Sequence, residues 1–452
     1  VIPREFLKDV ATERGVTNTE LEALFLAMEG QQTEAIASQL GISADAVRKR
    51  LSEIYHKFQI PGKGPVKLSQ LHQLLVTRYQ QDAQTRHSAS AQKGAGASAA
   101  LAGAGSSDTL PRQDWSEVPD VTVFYGRAAE LATLEQWIVR DGCRLVGLQG
   151  LPGVGKTALA VQLAHSIDDD FECVLWGSLE SAARPQELLA DLLQFLAGTE
   201  KAPWPESVSE GISLLISEFR ERRCLLVLDS VEAILRSGDR FGRYKEGYEE
   251  YGAIFRRLGQ EHHQSCLLLI SQEKLREIAQ LQSPAGLIRS LLLDGLKPEE
   301  AKAILLAKGL TGERQWSELI RNYRGNPLAL KLVAATIEEV FNKDVGEFVK
   351  LGTLVLSPDY RELLDAQVQR LSNLEKEVLR FLAGEDKPIS FQKLRANLPA
   401  VAASDLIEVL DSLGGWRSLI EKAHNQETGQ TLFALQPVVR KYLLKYALPN
   451  KN

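Results

Sequence analysis

Gly150-Leu-Pro-Gly-Val-Gly-Lys156-Thr157 follows the pattern G-x-x-x-x-G-K-[ST], the phosphate-binding P-loop. Its flanks suit the same reading. Arg144-Leu-Val-Gly-Leu-Gln149 has the character of a buried strand, and Thr157-Ala-Leu-Ala-Val-Gln-Leu-Ala164 that of an amphipathic helix. Glycine at 150, 153 and 155 lets backbone N–H groups turn inward around phosphates, and the positive end of the following helix adds a favourable field. The expected cradle comprises Gly150, Gly153, Val154, Gly155, Lys156, Thr157 and Ala158. Lys156 is placed to reach the β- and γ-phosphates, and the Thr157 hydroxyl to ligate Mg²⁺. The expected ligand is a purine nucleoside triphosphate or diphosphate.

A second segment strengthens the first. Arg223-Cys-Leu-Leu-Val-Leu-Asp229 is an apolar strand that ends in an acid, the arrangement that sets a carboxylate beside a P-loop Mg²⁺. Thr157 and Asp229 are therefore the candidate metal ligands. Lys156, Asp229 and the next acid, Glu232, are the candidate catalytic residues.

Outside these segments the composition bounds the answer. A chain of 452 residues is long enough for about three domains. Its formal net charge of −6 supplies no global field toward nucleic acid or anionic membrane, so any DNA contact has to come from a local patch. No apolar run is long enough to span a bilayer and no signal-peptide core opens the chain, so a cytoplasmic protein with no membrane partner is expected. Cys143, Cys173, Cys224 and Cys266 each open or lie in an apolar run. They show no metal-ligand spacing and read as buried thiols.

The pattern along the chain predicts a multidomain α/β plus α protein. Residues 1–80 read as a helix-turn-helix bundle, and residues 81–118 as a flexible linker rich in Ala, Gly and Ser. Residues 119–293 alternate strand runs, near 143–149, 171–177, 223–228, 266–271 and 288–293, with helical patterns. That alternation predicts a parallel-sheet P-loop domain. From Pro298 onward the pattern is helical, broken by one hairpin expected to pair Ser418–Lys422 with Thr431–Leu435. The charged, tyrosine-rich stretch 238–251 reads as a solvated loop leading into a helix, or as a surface for a neighbouring subunit.

In the first module, Thr17-Asn-Thr-Glu20 makes a capping box before a helix at 21–28. A second helix at 33–40, the turn Gly41-Ile-Ser43 and a third helix at 44–58 follow, and a fourth is expected at 66–79. Val47, Leu51, Ile54 and Phe58 share one face of the third helix and are assigned to the core.

Several motifs in this order resemble the STAND-class NTPases of the NB-ARC type. They are Phe124-Tyr-Gly-Arg127, the P-loop, the strand ending at Asp229, the sensor-like strand ending at Ser271-Gln272, Gly325-Asn-Pro327-Leu-Ala-Leu330, and Phe433-Ala-Leu-Gln436-Pro437. The resemblance covers roughly residues 119–448 and implies a helical domain over 294–356 and a winged-helix domain over 357–449. It implies that Arg127, Gln272, Pro327 and Gln436 lie around an adenine nucleotide, ATP or ADP, and that nucleotide identity switches the arrangement of the later domains. It also implies nucleotide-dependent homo-oligomers, and a repeat array that senses the signal or a separate sensor or effector protein. Four positions depart from the family pattern. Ser230 stands where a second acid is common, Gln272 where an arginine is usual, Gln436 where a histidine is usual, and Pro437 where an aspartate is usual. An amide can bond phosphate but carries no charge, so hydrolysis is expected to be slow at most.

Residues 34–51, with Ile54-Tyr-His-Lys-Phe58, resemble the LuxR-type DNA-binding domain. The resemblance makes Arg48, Lys49, Arg50 and Lys57 the candidates for contact with duplex DNA. Acids nearly balance the bases of this module, which keeps open a second reading in which it recruits a protein. A third reading is a productive ATPase.

Overall fold

The computed structural model describes residues 8, 10, 14, 16–28, 33–40, 42–58, 112–121, 123–198, 204–425 and 429–447. The expected fourth helix at 66–79, most of the linker and the centre of the turn at 426–428 lie outside the described residues. The chain divides into two units, 1–107 and 108–452.

The first unit holds three helices, α1 (Asn18–Met28), α2 (Thr33–Leu40) and α3 (Ala44–Lys57). Leu21, Leu24, Ile54 and Phe58 form one buried cluster, and Ile36, Ala37 and Val47 a second, with Leu51 packed against both. The face assigned to the core is therefore the face that is buried. Ser43 Oγ accepts the Ala46 amide at 3.2 Å and so caps α3. Glu20 closes back on the Thr17 amide at 2.7 Å, as a capping box requires, while the Thr17 hydroxyl donates to the same carboxylate at 2.8 Å.

The second unit begins with a strand inside the stretch read as linker. β1 (Arg112–Asp114) is a three-residue edge strand without an apolar run of its own. It extends a six-stranded, all-parallel sheet containing β2 (Leu145–Gln149), β3 (Cys173–Ser178), β4 (Cys224–Asp229), β5 (Cys266–Ser271) and β6 (Ile288–Leu292). The spatial order is β1-β3-β4-β5-β2-β6. Alternate residues of the central strands feed opposite faces. Leu226, Leu228, Leu267 and Leu269 pack into one apolar layer, while Leu225, Val227, Leu268 and Ile270 pack into the other. Each of the four cysteines is buried.

The remainder is mainly helical, with one apolar core running from Leu296 to Leu443. It includes α4 (Pro327–Val340) and α5 (Asn373–Gly384). It also carries a three-stranded antiparallel sheet of β7 (Ile389–Ser390), β8 (Ile420–His424) and β9 (Thr431–Leu435), in the order β7-β9-β8. The expected hairpin is present, with β8 displaced two residues downstream. The two-residue β7 gave no strand pattern because it is too short to alternate. Among the described residues no helix is long and apolar enough to cross a membrane.

The tyrosine-rich stretch is packed rather than solvated at its aromatic rings. Tyr248 and Tyr251 donate to the Ala182 and Ala183 carbonyls at 2.7 and 2.9 Å, and Tyr244 donates to Glu277 at 2.6 Å.

Candidate nucleotide site

β2 delivers the P-loop and ends at Gln149, where the chain turns into α6 (Lys156–Ser166). Gly153 and Gly155 adopt φ of +72° and +97°, conformations that suit glycine. Lys156 is almost fully buried, and its Nζ donates to the Gly150 and Leu151 carbonyls at 2.9 and 3.1 Å. Burial lowers its pKa, opposed by the charges of Glu232 and Asp229. The Thr157 hydroxyl donates to Asp229 Oδ2 at 2.8 Å, bringing the two candidate metal ligands together across 72 residues. Burial raises the Asp229 pKa, while bonds from Thr157 and the Ser230 amide and the charge of Lys156 oppose that rise.

Glu232 shares this corner of the sheet, and its Oε2 accepts the Gln272 amide at 3.1 Å. The end of the sensor-like strand is thus tied to the turn after β4. Ala158 is half-buried in the first turn of α6. Arg127 is buried and has a defined bonding pattern. Its guanidinium donates to the Val154 carbonyl at 3.0 Å, the Asp294 carbonyl at 2.6 Å and Glu130 at 3.0 Å. Through Val154 it is tied directly to the P-loop.

Pro327 opens α4, and the preceding Asn326 does more than the sequence suggested. Asn326 Oδ1 accepts the Ala329 amide and caps the helix, while Nδ2 donates to the Pro152 carbonyl at 2.9 Å. The Leu328 amide donates to the Gly153 carbonyl at 3.2 Å. A Cβ at Gly153 would meet Leu328 Cβ at 2.8 Å, so this close approach requires glycine. An asparagine before proline at a helix start is a legible capping signal; its reach to the P-loop is not.

Gln436 is half-buried at the helix start after β9, and it lines a cleft of about 630 Å³ with Leu151, Val154, Asp294, Asn326 and Lys422. The cleft is also lined by Arg324 and Glu421, which the sequence reading missed. Their Nη2–Oε2 separation is 2.6 Å, and no local pattern connects two residues 97 positions apart.

The residues present fit a nucleotide with Mg²⁺. The glycine-shaped loop offers backbone donors, Lys156 supplies an ammonium, and the Thr157–Asp229 pair supplies hard oxygen ligands of the kind Mg²⁺ accepts beside phosphates. Among the described residues no group of three or more His, Cys, Asp or Glu could hold a metal by itself.

In the first unit, Lys57 Nζ is 2.6 Å from Glu20 and Arg50 donates to the Thr19 carbonyl at 3.1 Å, while Lys49 is exposed. The side chain of Arg48 lies outside the described residues. Burial alone would raise the Glu20 pKa; hydrogen bonds from Lys57 and Thr17 outweigh it and hold the carboxyl below its usual range.

The parallel sheet, the P-loop and the Thr157–Asp229 pair define a P-loop NTPase, a class that binds nucleotides, typically with Mg²⁺. Two family models match the chain: the NB-ARC domain over residues 127–234, and the luxR family of bacterial regulatory proteins over residues 15–64. The chain is accordingly an NB-ARC P-loop NTPase preceded by a LuxR-type helix-turn-helix module.

It is similar to an uncharacterized WD repeat-containing protein of Nostoc sp. (39% identity over 356 residues, 76% of this chain and 28% of that protein). It is also similar to the Regulatory protein AfsR of Streptomyces griseus (33% over 132 residues, 26% of this chain and 13% of that protein). The chain thus spans well under a third of the length of these relatives. A solved STAND protein with a tetratricopeptide repeat sensor from Pyrococcus horikoshii aligns over 75% of this chain and 44% of its own, with 17% identity and a TM-score of 0.33.

Proposed function

We propose that this chain is a regulator in which ATP or ADP at the P-loop sets the arrangement of the later segments and thereby controls the helix-turn-helix module. The observation that carries the reading is the convergence of separate segments on one cleft. The P-loop, the helix start at Asn326 and the β8–β9 region with Gln436 all line it. A ligand there has differential contacts available to each segment, the condition for shifting a conformational equilibrium. Arg127, Gln272, Pro327 and Gln436 are the proposed surround of the nucleotide, with Lys156, Thr157 and Asp229 on the phosphates and metal.

Hydrolysis is slow in this reading, because Gln272 and Gln436 supply no cation to the transition state. The nucleotide acts as the switch and ATP-linked association of copies as the output. That association would bring the LuxR-type modules together on duplex DNA. The test is to release and identify the nucleotide carried by purified protein, then measure mass in solution with ADP and with ATP, alongside salt-dependent binding of duplex DNA. Identical mass in the two nucleotides refutes the switch.

A second reading, in which the first module recruits a protein effector, is favoured by one observation. Lys57 and Arg50 are engaged within their own module. Nucleotide-dependent association with no DNA affinity would select it.

A further inference from the structure

We propose that Arg324 is the residue that distinguishes a triphosphate from a diphosphate, and that Glu421 is the internal anion that competes with the added phosphate for its guanidinium. The inference rests on the nucleotide reading of the cleft and deepens it.

Four observations converge. Arg324 lines the same cleft as Val154, Asn326 and Gln436. It is fixed there by its backbone: Arg324 has φ of +51°, a left-handed conformation unusual for a non-glycine residue, and Gly325 follows at +64°. A Cβ at Gly325 would lie 2.2 Å from the Leu296 carbonyl oxygen, so the turn has little room to move. A strained residue held by its surroundings at a ligand cleft is a candidate for function.

The partner of Arg324 is equally informative. Its Nη2 lies 2.6 Å from Glu421 Oε2, and the two side chains are 40% and 34% exposed. A pair that wet is weak and exchangeable. Glu421 sits on β8, paired with β9, the strand that leads into Gln436. A phosphate oxygen offers the same guanidinium the same kind of charge-assisted bond. Exchange of carboxylate for phosphate would free β8 from Arg324. Finally, Gln272 and Gln436 leave this surround short of cations, while Arg324 and Lys422 supply them. Asp294 is the other acid lining the cleft, and it bonds Arg127 through its carbonyl.

The test uses the whole chain and calorimetric titration with ADP and with the β,γ-imido analogue of ATP, in Mg²⁺. Arg324→Gln should weaken the triphosphate analogue about tenfold and leave ADP within about twofold. Glu421→Gln should strengthen the analogue about threefold, again sparing ADP. The double variant should match Arg324→Gln, because Glu421 acts only through Arg324. Both single variants retaining the parent ratio of the two affinities would overturn the inference. Lys156→Ala separates the two levels of failure. If it abolishes binding of both nucleotides while the ratio is unmoved at 324 and 421, the cleft reading stands and the role of Arg324 falls. If it leaves both affinities intact, the cleft reading itself falls.

Discussion

The side-chain amide of Asn326 donates to the Pro152 carbonyl across 2.9 Å, while its oxygen caps the helix that Pro327 begins. One buried residue thus joins a helix end to the phosphate loop. Asn326→Ala removes the cap, worth about 0.5–2 kcal/mol, and leaves a buried carbonyl without its donor, worth about 1–3 kcal/mol more. The expected outcome is a lower melting temperature together with weaker nucleotide binding, followed by thermal melts with and without ADP.

Gly153 and Gly142 form a matched pair. Both have positive φ, +72° and +66°, but a Cβ at Gly142 meets nothing within 4 Å, whereas at Gly153 it meets Leu328. Gly142→Ala should cost about 1–2 kcal/mol from backbone strain alone. Gly153→Ala should cost about 1–3 kcal/mol beyond that from crowding, and should also disturb the loop. Denaturant melts of the two variants read the difference directly.

A buried ionic cluster holds the sensor-like strand to the helical segment. Arg417, 1% exposed, donates to Glu375 at 3.1 Å and to the Asp239 carbonyl at 2.7 Å, and approaches Glu273 at 2.8 Å. Arg370 also binds Glu273, at 2.5 Å. Arg417→Met leaves two buried carboxylates short of a partner, and a loss of about 3–5 kcal/mol is expected. A melt unchanged from the parent would show the cluster to be dispensable.

The pH dependence of metal-linked binding should follow Asp229. Burial raises its pKa, so on acidification it takes up a proton before an ordinary aspartate does. On acidification, Mg²⁺-dependent nucleotide affinity should therefore begin to fall at a higher pH than an ordinary aspartate would give. The sign for folding is the reverse. A raised pKa in the folded state contributes stability at low pH that is lost as pH rises through the window between the unfolded and folded values. Asp229→Asn should flatten both profiles, as measured by titration across pH with and without Mg²⁺.

Glu20→Gln tests what the first module binds. It releases Lys57 from its 2.6 Å ion pair. If the module reads DNA, affinity for duplex should rise and the slope of log affinity against log salt should steepen by about one unit. No duplex binding by either form, at low salt, would turn the assignment to a protein effector.

The local chemistry was legible in the sequence because it depends on neighbours. Residues 150–157 need only a preceding strand and a following helix to form a phosphate loop, and the apolar runs at β2, β4 and β5 announce themselves by burial on both faces. Ser43 and Thr17 mark helix starts through hydrogen bonds that span three residues. β1 and β7 escaped notice because two or three residues carry no period, and pairing partners supply their hydrogen bonds instead.

Tertiary structure alone decided what the loop touches. Long-range contacts turn the Arg127 guanidinium onto the Val154 and Asp294 carbonyls. Arg324 meets Glu421, Asn326 meets Pro152, and Glu273 meets Arg417 across separations that periodicity cannot encode. Side-chain bonds over such distances depend on how finished elements pack. Within a few residues the chain dictates its own geometry; beyond that, the shared core from Leu296 to Leu443, with Leu151 of the P-loop packed into it, selects the partners.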